Sequence, residues 1–361
     1  MRGRSIIISG GGTGGHLFPA LAIGRELGVR DPGLRLTFIG GRRSLEKELM
    51  GRHGARFIPL RIEGIRGRGW KSWKALALLP FAFSKSLAVL LRLKPDMVIG
   101  VGGYSSGPVV LLASLLRIPT LILEQNLTPG FTNRRLTRWA DKAVAAFENS
   151  LPYFKGKGVF LGNPVREEFY AIRPKPRTEE LILLVFGGSQ GSRILNRTMT
   201  EALPGLAAAK GRLKIFHQTG KADLEWVKAS YLRSEFSDAL VAPFFPNMAN
   251  YLAQSDLVIC RAGATTIAEL IVAQRAAILV PFAGAAEDHQ AKNAAELSRV
   301  GGAEVILEKD LSPQALASRI LDYLENKSKI TAMEKNLALL KTERPAKAIA
   351  DLCFALMESN P

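Results

Sequence analysis

The sequence is poor in the features that mark secreted and membrane-spanning proteins. Its 361 residues include only two cysteines, Cys260 and Cys353, too few for a disulfide framework and suited to a reducing compartment. The apolar run at residues 6–8 is too short for a signal sequence and predicts a strand. An apolar stretch at residues 75–93 contains one proline and two basic residues, so we do not expect it to span a bilayer.

An acidic residue is missing where a dinucleotide site needs one. The stretch SGGGTGGHLFPALAI, residues 9–23, contains G-x-G-x-x-G at a strand-to-helix turn, which is a weak indication of a nucleotide site. A dinucleotide site also needs an acid after the second strand, to bind the ribose. That strand ends in FIGGRRS, which argues against NAD and leaves a weak indication of NADP. No D-x-D-like site or metal-ligand spacing of histidines is present, so we expect neither cofactor nor metal.

Acidic residues are also scarce in one half of the chain. Residues 1–163 contain 25 Lys and Arg against 9 Asp and Glu, a net charge of +16, whereas residues 164–361 contain 24 against 23. This asymmetry suggests a polyanionic partner for the first half, either nucleic acid or an anionic membrane surface. A basic surface that is merely solvated is the alternative.

Apolar runs alternate with helix-like segments along both halves. Such alternation predicts an α/β fold of parallel sheets covered on both faces. The strands IIIS and LLVF are each followed by a glycine-rich turn, and a proline-rich charged linker lies at residues 162–176. We therefore expect two doubly wound domains that face a cleft, with ligands beyond the carboxyl ends of the strands.

The segment at residues 70–94 allows two interpretations. Five basic residues and two tryptophans, Trp70 and Trp73, lie at or just before its apolar part, which is typical of a membrane-interface helix. An ordinary crossover helix packed on its sheet is the alternative, and the two are compatible.

Glycine-rich loops predict several anion sites. Loops at residues 10–15, 102–107 and 187–192 each follow a strand and open a helix, whose free amides and dipole favour an anion. A further turn, at Gly263, Ala264 and Thr265, precedes a helix that begins near Thr266. Glu269 lies one turn into that helix, where it could accept hydrogen bonds from sugar hydroxyls or merely complement the helix dipole.

These motifs together resemble those of the MurG family. The matching stretches are GGGTGGHLFPALAIGREL, VGGYSSGP, EQNLTPGFTNRRL, GNPVR, FGGSQGSRILN, CRAGATTIAEL and VPFAGAAEDHQAKNA, in family order over nearly the whole chain. The resemblance implies a GT-B fold and an inverting N-acetylglucosaminyltransferase of peptidoglycan synthesis. UDP-N-acetylglucosamine would be the sugar donor, and undecaprenyl-diphosphate-linked N-acetylmuramoyl-pentapeptide, lipid I, would be the acceptor that becomes lipid II.

The resemblance also implies an acceptor domain at residues 1–163, with a helix near 345–361 packed back on it, and a donor domain at 164–344. In the donor site, Glu269 would bind the ribose, the Phe245 backbone the uracil, and Gln290 and Asn126 the sugar; Arg166 would reach toward the nucleotide. The remaining predicted donor contacts are Thr13, Gly14, Gly15, Ser189, Gly263, Ala264, Thr265 and Thr266. The predicted acceptor-diphosphate contacts are Gly12, Thr13, Gly14, Gly103, Tyr104 and Ser105.

The catalytic base has two candidates. His16 follows the first glycine loop, and a histidine ordinarily titrates near neutrality, as a base should; orientation of the acceptor is its alternative role. Glu124 of EQN is the second candidate. The family pattern has a histidine before EQN, but Leu123 stands there, so that histidine is not a required base in this chain.

A peripheral location on the cytoplasmic face of the plasma membrane follows from the resemblance. The predicted membrane patch comprises Trp70, Trp73, Lys74 and Leu79. The expected partners are the two substrates and an anionic membrane surface. Other cell-wall synthesis or division proteins are further candidate partners, and nucleic acid is not expected to bind. The competing hypotheses are a nucleic-acid-binding protein, an NADP-dependent oxidoreductase and a related GT-B enzyme with another UDP-sugar or lipid acceptor.

Overall fold

Two parallel β-sheets organise the chain in a computed structural model. The structure describes residues 3–11, 14–41, 56–62 and 72–359, without the side chains of residues 72–77. The chain divides into two compact units. Unit 1 comprises Met1–Arg166 and Thr342–Pro361, and unit 2 comprises Glu167–Lys341.

Unit 1 is built on a seven-stranded sheet whose order is β3-β2-β1-β4-β5-β6-β7. Its strands are β1 (Ser5–Ser9), β2 (Arg35–Gly40), β3 (Arg56–Pro59), β4 (Met97–Gly100), β5 (Thr120–Glu124), β6 (Lys142–Ala145) and β7 (Gly158–Phe160). Its described α-helices are α1 (Gly14–Arg30), α2 (Ser72–Leu93), α3 (Ser106–Leu115), α4 (Phe131–Leu136) and, at the C-terminus, α13 (Pro345–Glu358). A 3₁₀ helix, Glu148–Phe154, precedes β7.

The central strands of unit 1 are apolar on both faces because helices cover both sides of the sheet. Ile6 and Ile8 of β1 pack in one core layer, which also contains Leu17 of α1 and Ile349 of α13. Ile7, between them, points into the opposite layer with Val109 of α3. The C-terminal helix α13 thus contributes to the core of unit 1.

Unit 2 repeats this plan with a six-stranded sheet ordered β10-β9-β8-β11-β12-β13. Its strands are β8 (Leu181–Phe186), β9 (Leu213–Gln218), β10 (Leu240–Ala242), β11 (Leu257–Cys260), β12 (Ala276–Leu279) and β13 (Glu304–Val305). Its described α-helices are α5 (Glu167–Tyr170), α6 (Arg193–Ala202), α7 (Leu224–Leu232), α8 (Met248–Gln254), α9 (Ala264–Ala273), α10 (His289–Arg299), α11 (Pro313–Glu325) and α12 (Lys327–Leu339). Three 3₁₀ helices complete the described elements: Leu203–Ala209, Ala286–Asp288 and Glu308–Asp310.

The predicted fold class is confirmed, since each unit has a doubly wound parallel sheet of the Rossmann type. Each sheet has a topological switch point, where strand order reverses and where ligands bind beyond the carboxyl ends of the strands. In unit 1 it lies between β1 and β4, and in unit 2 between β8 and β11.

Helix α2 contains the apolar segment singled out in the sequence. Ala82, Ser86 and Leu90 are buried on one side, and Phe81 and Leu91 on the other are 71% and 55% exposed. The helix therefore packs on the unit and also leaves apolar side chains in solvent. Of the predicted patch residues, Trp70 lies outside the described residues, as do the side chains of Trp73 and Lys74, and Leu79 is half-buried. No helix in the described part of the chain is both long enough and apolar enough to cross a membrane.

Candidate functional site

Two glycine loops meet at the switch point of unit 1. A Cβ on Gly10 would lie 2.3 Å from the Val101 side chain, and a Cβ on Gly103 would lie 2.3 Å from the Gly11 carbonyl oxygen. Gly103 also has a φ of +79°, which favours glycine. Only glycine allows the loops after β1 and β4 to approach this closely. Gly12 and Thr13 lie outside the described residues, whereas Gly14 and Gly15 form the first turn of α1.

His16 lies in the first turn of α1, between the two loops. Its Nδ1 is 3.2 Å from Gln125 Oε1, and a Cβ on Gly102 would come within 2.8 Å of its ring. Burial lowers the pKa of His16, and this outweighs the opposing effects of the Glu124 charge and of hydrogen bonding to Gln125 and the Val101 backbone. The imidazole is therefore neutral at pH 7, as a general base must be before it accepts a proton.

Glu124 ends β5 as a buried carboxylate that holds the following loop. One oxygen accepts hydrogen bonds from the backbone and side-chain nitrogens of Asn126, at 2.9 and 3.0 Å. The other accepts from the Gly130 backbone and the Asn133 side chain, at 3.0 and 2.9 Å. Because each oxygen has two donors, this arrangement favours a role in positioning the loop and in electrostatics over a role as proton acceptor.

The other predicted contacts in unit 1 have different environments. Tyr104 is exposed, and Ser105 is buried just before α3. Asn126 is half-buried on the Glu124 loop. The guanidinium of Arg166 lies 4.8 Å from the ring centre of Phe18, in α1, which places Arg166 beside the helix that carries His16.

The switch point of unit 2 has its own glycine loop, residues 187–192. Gly188 and Gly191 have φ values of +91° and +77°, and a Cβ on Gly191 would lie 1.9 Å from the Thr219 carbonyl oxygen. The loop thus requires glycine, both for its conformation and for its contact with the end of β9. Ser189 is exposed at its tip, where its hydroxyl and the neighbouring amides can meet an anion.

Gln218 connects this loop to Phe245. Its side-chain nitrogen donates to the Gly188 carbonyl at 3.0 Å, and its Oε1 accepts from the Phe245 backbone nitrogen at 2.7 Å. The Phe245 ring is buried and stacks on Tyr251, with 3.9 Å between ring centres. The Phe245 side chain therefore belongs to the core, so a ligand would meet this residue through its backbone.

Helix α9 begins at the other strand of this switch point. Gly263 caps it in an extended conformation, and the first turn of the helix carries backbone amides and the positive end of the helix dipole, a setting that favours an anion. Glu269, one turn further, is buried. Burial, with a contribution from the Glu269 charge, raises the pKa of Cys260, which places this carboxylate near the end of β11.

Gln290 lies at the start of α10, where its Oε1 accepts a hydrogen bond from the Phe282 backbone at 3.0 Å. Just before it, Glu287 and Asp288 have φ values of +53° and +56°. Two consecutive left-handed residues other than glycine store about 1–3 kcal/mol of strain each, and such strain concentrates at functional sites.

Among the described residues, His16 and Gly103 thus lie at the switch point of unit 1, and Ser189 and Gly263 follow the two strands at the switch point of unit 2. Sequence reasoning missed Gln125, Gln218 and the strained pair before α10. Gln125 adjoins Glu124 in the EQN motif and Gln218 ends β9, positions that could have indicated a role. Among the described residues, no group of three or more His, Cys, Asp and Glu side chains could hold a metal ion.

Comparisons with known proteins agree with this architecture. The glycosyltransferase family 28 N-terminal domain matches residues 6–145, and the family 28 C-terminal domain matches residues 182–352. Two relatives, from Myxococcus xanthus and Syntrophus aciditrophicus, are 43% and 44% identical over 98% of this chain and cover 93% and 98% of their own lengths. Both are named UDP-N-acetylglucosamine--N-acetylmuramyl-(pentapeptide) pyrophosphoryl-undecaprenol N-acetylglucosamine transferase.

Solved structures show the same relationship. The crystal structure of Acinetobacter baumannii MurG has a TM-score of 0.78 and 31% identity, with 98% of this chain and 99% of that chain covered. The calicheamicin glycosyltransferase CalG4, at 16% identity and a TM-score of 0.70 over 99% of both chains, shares the fold. On its two family 28 domains and its near-full-length relatives, this chain belongs to the MurG family of glycosyltransferases.

Proposed function

We propose that this chain transfers N-acetylglucosamine from UDP-N-acetylglucosamine to the C4 hydroxyl of the N-acetylmuramoyl residue in lipid I, giving lipid II. The observation that carries the proposal is the similarity over 98% of the chain to relatives named for this transfer. The two switch-point sites supply the parts that the reaction needs: an anion site for a nucleotide diphosphate and a neutral histidine.

In this proposal, unit 2 binds the UDP moiety. The amides at the start of α9 and the loop at residues 187–192 receive the diphosphate, and Glu269 accepts from the ribose hydroxyls. The uracil meets the Phe245 backbone, and Gln290 and Asn126 bind the transferred sugar. The N-terminus of α9 then stabilises the negative charge that develops on UDP as it leaves.

The chemical step is a single inverting displacement. The acceptor hydroxyl attacks the anomeric carbon as the bond to UDP breaks, and His16 takes the hydroxyl proton. Glu124 raises the pKa of His16 against the effect of burial, so its charge favours the imidazolium that forms. The acceptor diphosphate is proposed to lie beside the first two glycine loops, at Gly12, Thr13, Gly14, Gly103, Tyr104 and Ser105.

Label transfer tests the activity. Purified protein is incubated with UDP-[¹⁴C]N-acetylglucosamine and a lipid I analogue, and the labelled product is separated and counted. We expect transfer by the wild type and a loss of roughly hundredfold in His16→Ala, as for removal of a general base. UDP-glucose and UDP-galactose are tested in parallel as alternative sugar donors, for comparison with UDP-N-acetylglucosamine. Absence of transfer by the wild type, or a clear preference for another UDP-sugar, would overturn the proposal.

We further propose that α2 docks unit 1 on the cytoplasmic face of the membrane, where the lipid-linked acceptor lies. Its exposed residues combine apolar side chains, Phe81, Leu87 and Leu91, with the cations Lys85 and Arg92. An apolar face with flanking cations is the composition of an interfacial helix. Each basic residue near an anionic surface contributes about 1 kcal/mol, so the +16 charge of residues 1–163 acts in the same direction.

Sedimentation with vesicles tests the docking. We expect the triple change Phe81→Ser, Leu87→Ser and Leu91→Ser to weaken binding to phosphatidylglycerol vesicles by roughly tenfold or more, which is about 1.4 kcal/mol. The matched control replaces Leu232 and Leu339, which are 61% and 85% exposed in unit 2, with serine. Thermal unfolding checks that the variants are folded. Equal loss of binding in both sets, or in neither, would contradict the proposal.

A further inference from the structure

Gln125 is a buried side chain between His16 and the backbone of the second glycine loop. It is 1% exposed, and both ends of its amide have partners. Its Nε2 donates to the Val101 carbonyl at 2.8 Å, and its Oε1 lies 3.2 Å from His16 Nδ1.

These two contacts determine which His16 nitrogen carries the proton. A backbone carbonyl can only accept, so the NH₂ end of Gln125 must face Val101 and the oxygen must face His16. The oxygen of a primary amide is an acceptor only. His16 Nδ1 must therefore be protonated to make the bond, and in a neutral imidazole the lone pair is then on Nε2.

Gly102 keeps the ring in this place. Its φ of +92° favours glycine. A side chain would also not fit, because a Cβ on Gly102 would lie 2.8 Å from His16 Cε1 and 2.9 Å from Nδ1. The ring is thus bounded by the Gly102 backbone and tied at Nδ1 by Gln125.

We propose that Gln125 is a positioning residue that holds His16 as the Nδ1–H tautomer and so presents Nε2 to the acceptor hydroxyl. As the new glycosidic bond forms and the bond to UDP breaks, UDP leaves with the electron pair and the hydroxyl proton moves to Nε2. The resulting imidazolium keeps its Nδ1–H bond to Gln125. The catalytic consequence rests on the proposed function, whereas the tautomer is a property of the resting protein.

His217 provides an internal contrast with the opposite geometry. Its Nε2 lies 3.1 Å from Asn196 Oδ1, and its Nδ1 lies 3.0 Å from the Tyr231 hydroxyl. The Asn196 nitrogen is engaged by the Thr219 carbonyl and by Asp223, so its oxygen must face His217. His217 therefore carries its proton on Nε2.

Nitrogen NMR of the ¹⁵N-histidine-labelled protein at pH 8 reads both tautomers directly. The chain has four histidines, so single substitutions assign the signals. We expect a pyrrole-type Nδ1 and a pyridine-type Nε2 for His16, and the reverse for His217. In Gln125→Met, which keeps the length of the side chain but removes the acceptor, His16 should shift toward the Nε2–H form while His217 is unchanged.

Kinetic measurements then distinguish a positioning role of Gln125 from a purely structural one. We expect Gln125→Met to lower kcat by roughly tenfold or more, with little change in KM for UDP-N-acetylglucosamine, because the base is presented in the wrong tautomer. Gln125→Glu restores an acceptor facing Nδ1 but loses the donor to the Val101 carbonyl, so it should recover part of kcat and move the acid limb of the pH profile to higher pH.

Failure of this inference can be distinguished from failure of the proposed function. An Nε2–H tautomer of His16 in the wild type, or a tautomer unchanged by Gln125→Met, would overturn this inference whatever the activity. The expected tautomer in a wild type that transfers no sugar would overturn the proposed function and leave the tautomer assignment standing. If Gln125→Met does not fold, the wild-type spectrum and Gln125→Glu still decide the tautomer.

Discussion

At the scale of single residues, the surroundings of His16 set the pH at which it can take a proton. Burial is the largest effect on its pKa, which lies below the ordinary 6.5. We expect kcat/KM to be independent of pH, as far as His16 is concerned, at pH 7 and above, and to fall with decreasing pH only below pH 6.5, as the imidazole becomes protonated. Transfer rates from pH 5 to 9 with a soluble acceptor analogue measure this.

A charge change nearby provides the control. Glu124→Gln removes the negative charge that favours the imidazolium, so the acid limb should move to lower pH. A limb above pH 6.5, or the same limb in His16→Ala, would contradict the assignment of this titration to His16.

His217 predicts a pH dependence of stability rather than of activity. It is fully buried, and burial lowers its pKa to about 3. The unfolded chain therefore binds a proton that the folded chain does not between pH 6.5 and pH 3, so stability is lost as the pH falls through this range. The unfolding free energy is expected to change by about 1.4 kcal/mol per pH unit because of this one residue.

Urea unfolding between pH 4 and 7 measures this slope. His217→Gln preserves an acceptor for Tyr231 and a donor for Asn196 but does not titrate, so its unfolding free energy should depend less on pH. His289→Gln, at a half-buried histidine, is the control. A pH dependence in His217→Gln equal to that of the wild type would refute the linkage.

At the scale of the elements, the strands could be predicted and the side-chain network at their ends could not. The strands β1, β8 and β11 coincide with apolar runs, because a strand covered on both faces is apolar throughout. The strand β7 was not predicted, since its three residues lie in a segment rich in glycine and lysine.

The contacts of the two glutamines explain what the sequence leaves open. Gln125 meets a carbonyl 24 residues away and a histidine 109 residues away, and Gln218 meets backbone groups 30 and 27 residues away. The strand order of each sheet brings these partners together, and a local pattern carries no information about such separations. The glycine loops could be predicted because their chemistry is local to the turn.

Arg275 connects several elements of unit 2. It is 1% exposed, and its guanidinium donates to five carbonyls: Leu252, Ala253, Ala273, Gln274 and Arg173. It thereby ties the ends of α8 and α9 to the segment before β8. We expect Arg275→Met to destabilise the protein by about 3 kcal/mol or more, since it leaves buried carbonyls without donors.

Thermal and urea unfolding measure this loss. Arg275→Lys should recover only part of it, because an ammonium group has three donors and lacks the planar fork. Arg197→Met, at an exposed residue paired with Glu201, is the control and should leave the unfolding midpoint unchanged. Full stability of Arg275→Lys would show that charge alone suffices at this position.

At the scale of the whole molecule, the two halves of the chain differ in net charge, and this difference bears on where each substrate is expected to bind. The excess positive charge lies in residues 1–163, whereas residues 164–361 are nearly neutral. Docking to an anionic surface needs net charge, while binding of a nucleotide diphosphate needs only local amides at a helix start. We therefore expect the nucleotide to act on unit 2 although unit 1 carries the G-x-G-x-x-G pattern.

Hydrogen exchange with and without UDP locates the nucleotide. We expect protection of residues 187–192 and of the start of α9, and none at residues 10–16. UDP at about 100 times its Kd should stabilise the protein by about 2.7 kcal/mol, whereas NADPH should leave Tm unchanged. Glu269→Gln should require more UDP for the same shift, because a ribose acceptor is weakened. Protection confined to residues 10–16, or stabilisation by NADPH, would instead place the nucleotide on the first glycine loop. Either result would refute the assignment of the nucleotide to unit 2.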